Sequence, residues 1–314
     1  MSFKPLKKGD IVDIICPATA CTKYEIEKAK KFISELGLKP RFFLEEKLAL
    51  KKPASHEFPS FGAEDRFAQF KLAVENSESK IIWCMRGGYG SADILPLIQK
   101  MKKPKNKKIF IGFSDIVSLN LFTQKNWNWQ NICAPMLAQI INKNVSEKSE
   151  KAIVDLLFGK SKNLKYSLIS LNNSAKKEIE GKIIGGCISV LSGHFGTKNQ
   201  IDWSNKILFL EDEGEDGERL ERYFNQIVTI MIEQNKIPSA ILLGNFLESN
   251  PHGTPKAKNI KIAIEKFIEK IDQNNLQLTV FLEKSGCLGH SKNILPLVLG
   301  MKTSISKNSL IQSL

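Results

Sequence analysis

Residues 80–101 read KIIWCMRGGYGSADILPLIQKM: an apolar run, a glycine-rich turn, then a segment with helical spacing. An apolar run without alternation is what a strand covered on both faces looks like, and a strand passing through a turn into a helix is the unit of a parallel sheet. Working outward, the same unit recurs. DIVDIICPA (10–18) is strand-like, and YEIEKAKKFISELG (24–37) sets Ile26, Ala29, Phe32, Ile33 and Leu36 at helical spacing before Gly37, a C-cap residue. KPRFFL (39–44) is the next strand, AEDRFAQFKLAVENS (63–77) the next helix, and KIFIGF (108–113) a strand that runs into Ser114. The first half is therefore expected to be a parallel-sheet domain of Rossmann or flavodoxin-like type.

The second half mixes its elements less regularly. A polar Asn/Ser/Lys-rich stretch, 159–181, reads as the connection, which predicts an N-terminal α/β domain over 1–165, a linker over 166–180 and a C-terminal domain over 181–314. Beyond it come GKIIGGCISVLSGHFGT, the strand KILFLED, a helix at ERLERYFNQIVTIMIEQ, the strand AILLGNF, a helix at NIKIAIEKFIEKI, and the strand-like LQLTVFLE and ILPLVLG. A mixed α/β domain with a β-rich core is expected.

Composition narrows the function classes. No apolar stretch is long enough to span a membrane, and MSFKPLKKGDIVDIICPATA lacks the layout of a signal peptide, so a cytoplasmic protein without membrane association is expected. The six cysteines lack CxxC or zinc-type spacing and read as reduced, buried thiols; Cys287 and His290 alone are too few for a metal site, and no metal or cofactor is expected. The 46 basic against 33 acidic residues give a net charge of +13, densest at KKPKNKK (102–108). Without interleaved aromatics or a nucleic-acid module this reads as a solvated surface that suits an acidic small substrate, not nucleic acid.

Gly87, Gly88 and Gly90 sit between strand and helix, where glycines adopt positive φ and bring backbone N–H groups to an anion. A dinucleotide loop is a rival, but Gly88-Tyr89-Gly90-Ser91-Ala92-Asp93 lacks the third glycine of that fingerprint. Ser114, at a strand-to-helix turn, fits two descriptions: a helix N-cap, or a nucleophile elbow whose next N–H, that of Asp115, helps hold an oxyanion. A nucleophilic serine needs a base with an orienting partner. Of four histidines, His56 and His252 lie in polar loops and His194 in an apolar helix-like run; His290 sits in the glycine-flanked turn SGCLGHSKN. Glu211 ends the strand KILFLE, either as a carboxylate at the lip of a buried run or as the first residue of a solvated acidic loop. Trp127 and Trp129, in QKNWNWQN, read as packing, with base stacking as the alternative.

Taken in order, IIWCMRGGYGSADILP, IGFSDI, GGCISVLSGHFGT, ILFLEDEGEDGERLER and GHSKNILPLVLG resemble the successive signatures of the LD-carboxypeptidase family of serine peptidases, which includes muramoyltetrapeptide carboxypeptidases and microcin-immunity relatives. The resemblance spans nearly the whole chain. It departs at Phe113, usually tyrosine, at Cys187, commonly asparagine, and at Glu218, often tyrosine. It implies a triad of Ser114 as nucleophile, His290 as general base and Glu211 as orienting carboxylate, meeting in an interdomain cleft. It further implies release of terminal D-alanine from murein tetrapeptide in cell-wall recycling, by a homodimer; cleavage of a peptide-nucleotide toxin is the alternative within the family, and a non-catalytic nucleotide-binding module the alternative outside it. Backbone N–H groups of Asp115 and Gly88 are the expected oxyanion donors, and Arg86 either pairs with a substrate carboxylate or braces its loop.

Overall fold

The computed structural model describes residues 4–45, 49–50, 61–172, 178–247 and 257–314. The chain divides into two compact units, one running to Ser161 and including Leu295–Leu297, the other comprising Lys162–Ile294 and Val298–Leu314.

In the N-terminal unit the strands Lys39–Phe42, Ile11–Ile15, Ile81–Cys84, Ile109–Ile111 and Asn131–Cys133 pair in that spatial order, all parallel. Ile14, Ile15, Ile81 to Cys84, Phe110 and Ile111 are fully buried, as strands covered on both faces must be. The helix Lys23–Glu35 starts at a capping box, Thr22 with Glu25, and stops at Gly37, which takes φ +76. Three adjacent parallel strands thus end on one edge, where they deliver the segments after Ile15, Cys84 and Ile111 side by side. Trp127 and Trp129 are buried and pack on each other and on Phe70 and Phe122, so they are core residues, not a stacking platform. The basic run 102–108 is a solvated face only in part: Lys108 is buried and pairs with the buried Asp13 at 3.2 Å.

The C-terminal unit is a mixed α/β domain with a β-rich core, as expected, and the finer arrangement is that its strands close into a seven-stranded barrel. Glu178–Cys187, Ile207–Glu213, Ala240–Leu247 and Thr279–Glu283 run parallel, and Asn163–Ser170, Ser309–Ser313 and Lys302–Ser306 close the ring with antiparallel pairings. Two of the closing pieces run where the sequence suggests none. Asn163–Ser170 occupies part of the expected linker; Leu164, Tyr166 and Leu168 alternate inward between exposed Asn163, Lys165 and Ser167. The hairpin Lys302–Ser313 turns at Lys307 and Asn308, both at positive φ, the geometry that matches strand twist. The helices Gly217–Glu233 and Ala257–Gln273 pack together through Phe224 stacked on Phe267. Among the described residues no helix is long and apolar enough to cross a membrane.

Candidate active site

Ser114 is not a helix cap. The cap position of the short helix Ser114–Ile116 is Phe113, and no side-chain cap bond forms there. Ser114 itself takes φ +61, a left-handed conformation that L-residues avoid and that sharp strand-to-helix elbows impose. Such strain persists only where the surroundings over-determine it, and here they do. Gly112 has no room for a side chain, since a Cβ would lie 2.7 Å from Ile116 Cγ2. Gly87 lies directly against the elbow: a Cβ there would stand 3.0 Å from Ser114 Cβ and 3.4 Å from the Asp115 nitrogen.

The glycine loop is tied to the elbow and to the segment after the first strand. Ser91 N–H donates to Asp115 Oδ2 at 2.8 Å, and Ser91 Oγ donates to the Asp115 carbonyl. Burial lifts the Asp115 carboxyl above its usual range, against the pull of these bonds. On the other side Thr19 N–H donates to the Gly87 carbonyl at 3.2 Å and Tyr89 N–H donates to Thr19 Oγ1 at 3.2 Å. Gly88, at φ +97, is exposed, with Thr19 filling the space its side chain would need. Arg86 pairs with Glu25 of the capping box, which also accepts from Asn142 at 3.1 Å. The pair ties the start of the glycine loop to the N-terminus of the helix Lys23–Glu35.

In the C-terminal unit Glu211 and His290 meet. Glu211 is fully buried, and its Oε2 stands 2.6 Å from His290 Nδ1 while also accepting the His290 backbone N–H at 2.9 Å. A bulge builds this arrangement. The pairing of Ile207–Glu213 with Ala240–Leu247 shifts register between Leu210 and Asp212, so Gly244 and Asn245 lie opposite Glu211. Asn245, freed from the ladder, donates its N–H to the Leu288 carbonyl at 2.8 Å and its Nδ2 to the His290 carbonyl at 2.7 Å. Gly289, at φ +91, must be glycine, because a Cβ would fall 2.5 Å from Glu211 Oε2.

Burial works to lower the His290 pKa, but the charge and hydrogen bond of Glu211, with Glu213 and Asp212 adding, carry it from 6.5 to about 9. Glu211 Oε1 has no hydrogen-bond partner among the described residues, so the carboxylate acts chiefly on the imidazole. Nδ1 is committed to Glu211, and Glu213 Oε2 stands 3.7 Å from Nε2. Cys187 Sγ donates to Asp212 Oδ2 at 3.2 Å, and burial pushes its thiol pKa well up.

Gly88, Asp115, Arg86 and Ser114 thus gather in the N-terminal unit, and Glu211 with His290 in the C-terminal unit. His194 is buried and its pKa is lowered by burial; His56 and His252 lie outside the described residues. Sequence reasoning missed Thr19, Ser91, Glu213 and Asn245, whose positions depend on strand adjacency and on the bulge. The one advance signal was Glu213's place two residues after Glu211, on the same side of an extended strand. Among the described residues no group of three or more histidine, cysteine or acidic side chains is arranged to hold a metal.

Residues 12–134 match the LD-carboxypeptidase N-terminal domain and residues 180–305 the LD-carboxypeptidase C-terminal domain. A putative carboxypeptidase of Rickettsia conorii is 28% identical over 307 residues, covering 96% of this chain and 89% of that protein. A probable murein peptide carboxypeptidase of Bacillus subtilis is 28% identical over 271 residues, covering 85% and 82%. The crystal structure of an MccF-like protein from Bacillus anthracis superposes with a TM-score of 0.77 over 98% of each chain at 22% identity, a likeness of fold.

Proposed function

The chain belongs to the LD-carboxypeptidase family, and on that premise we propose that it is a serine peptidase that releases the terminal D-alanine of murein tetrapeptide. The observation that carries this reading is the buried Glu211 held 2.6 Å from His290 Nδ1, the carboxylate–imidazole pair of a general base. The strained Ser114 elbow supplies the group such a base would serve.

In this mechanism Ser114 Oγ attacks the carbonyl carbon of the L-centre as His290 Nε2 takes its proton, and Glu211 holds the tautomer and stabilises the imidazolium. The oxyanion faces the backbone N–H groups of Asp115 and Gly88. Collapse breaks the C–N bond, His290 returns the proton to the departing D-alanine amine, and water, deprotonated by the same base, cleaves the acyl-enzyme. Arg86 braces the loop through Glu25. The excess of basic residues suits an acidic murein peptide. The reading goes with a cytoplasmic homodimer that acts in cell-wall recycling. It is favoured over cleavage of a peptide-nucleotide because Trp127 and Trp129 are buried and cannot stack on a base.

The test is mass spectrometry of L-Ala-γ-D-Glu-meso-diaminopimelate-D-Ala incubated with wild type and with Ser114→Ala. Loss of one alanine is expected with wild type, reduced at least ~10³-fold in the variant. Cleavage undiminished in Ser114→Ala removes Ser114 from the mechanism, and an unchanged peptide with both proteins rejects the substrate.

A further inference from the structure

Behind the glycine loop, two cysteines face each other. Cys16 ends the first strand region and Cys21 precedes the Thr22 cap; their sulfurs are 3.2 Å apart, with the residues 0% and 2% exposed. Between them lie only Pro17, Ala18, Thr19 and Ala20. Both ends of this span are anchored. Cys16 N–H donates to Gln69 Oε1 at 3.0 Å, and Thr22 is locked in the capping box with Glu25. Its middle residue, Thr19, makes the contacts that hold Gly87 and Tyr89, and Gly87 abuts Ser114.

We infer that Cys16 and Cys21 form a dithiol switch, which a hydroperoxide converts to a disulfide that displaces Thr19 and unhooks the glycine loop from its seat beside Ser114. A disulfide needs its sulfurs at about 2.0 Å, so they must close by a little over ~1 Å. With both ends of the span anchored, that movement falls on residues 17–20. The Thr19 to Gly87 bond is already 3.2 Å long and has little slack. Thr19 packs against Gly88 and is bonded to Gly87 and Tyr89, so a shift of Thr19 breaks or drags the contacts that seat the loop.

The chemistry closes without another reagent. Hydrogen peroxide oxidises the Cys21 thiolate to a sulfenic acid and is itself reduced to hydroxide. The Cys16 thiol then attacks the Cys21 sulfur; the S–S bond forms, the S–O bond breaks, and water leaves with the Cys16 proton. The contact with Cys21 and the burial of Cys16 push the Cys16 thiol pKa well up, which suits Cys16 to the resolving step and leaves the first oxidation to Cys21. Such a pair is sensory in a reducing compartment, because a thiol reductant restores it.

Trypsin releases residues 9–23 as one peptide containing both cysteines, so the disulfide shows as the loss of two hydrogens from that peptide after peroxide treatment of the full chain. Hydrogen exchange then reads the loop, with faster exchange expected at the Tyr89 amide. The effect on catalysis rests on the Ser114 reading, and a roughly 10²-fold loss of D-alanine release, regained on adding dithiothreitol, is expected. Mass and exchange do not depend on that reading, so its failure is distinguishable from failure of the switch. Cys21→Ser and Cys16→Ser, each verified as folded by its melting temperature, should show neither the bridge nor the exchange change. A peptide 9–23 that keeps both thiols under peroxide, a bridge to a different cysteine, or a bridge that leaves Tyr89 exchange unchanged overturns the inference.

Discussion

Replacing Glu211 with glutamine takes one negative charge out of a fully buried position while keeping the side chain's size and an oxygen that can accept the His290 amide. In the wild-type protein His290 titrates at about 9 instead of 6.5. Each pKa unit is worth about 1.4 kcal/mol, so the folded state holds the imidazolium about 3 kcal/mol more tightly than the unfolded chain does. Because the folded value is the higher one, this stabilisation is complete below pH 6.5 and is lost as pH rises through about 9. Without Glu211, burial is opposed only by the weaker contributions of Glu213 and Asp212, and His290 should titrate at or below its ordinary value. The assay is the NMR titration of the His290 Cε1 proton, assigned by its loss in His290→Gln, together with thermal melts at about pH 6 and about pH 10. The gap in Tm between wild type and Glu211→Gln should be wide at the lower pH and narrow at the higher. An imidazole that titrates at the same pH in both proteins would refute the pairing as the source of the shift.

Glu213→Gln removes a charge 3.7 Å from Nε2, so the imidazolium is less favoured and the rising limb of kcat/KM against pH should move to lower pH, with more activity near neutrality. An unmoved limb means Glu213 does not reach the base. Ser114→Gly relieves a left-handed backbone that alanine keeps, so it should be about 1 kcal/mol more stable than Ser114→Ala in chemical denaturation, with both inactive. Arg86→Lys weakens the brace to Glu25 and should cost roughly 1 kcal/mol of stability while KM stays unchanged; a raised KM with unchanged melting would make Arg86 a substrate ligand.

The N-terminal unit was legible because its apolar runs and helical spacings are local signals, and because two neighbouring strands in the sequence, 81–84 and 109–111, are neighbours in the sheet. The barrel was not. Asn163–Ser170 and Lys302–Ser313 are short, polar on one face and rich in Ser, Asn and Lys, and only partners far along the chain turn them into barrel strands. Ser114 alone could be a cap or a nucleophile, and only its φ of +61 and the close approach of Gly87 removed the cap.

By itself, then, the sequence determined the parallel sheet, the glycine loop, and the residue types at 114, 211 and 290, since strand and helix periods and turn glycines are properties of neighbouring residues. Tertiary structure alone decided that Glu211 faces His290, that Arg86 pairs with Glu25, and that Cys16 meets Cys21 under the loop. The dyad depends on a bulge that sets two residues opposite Glu211, and Arg86 on a capping carboxylate 61 positions away. Pairings of that kind come from strand order and register, which no local pattern of residues encodes.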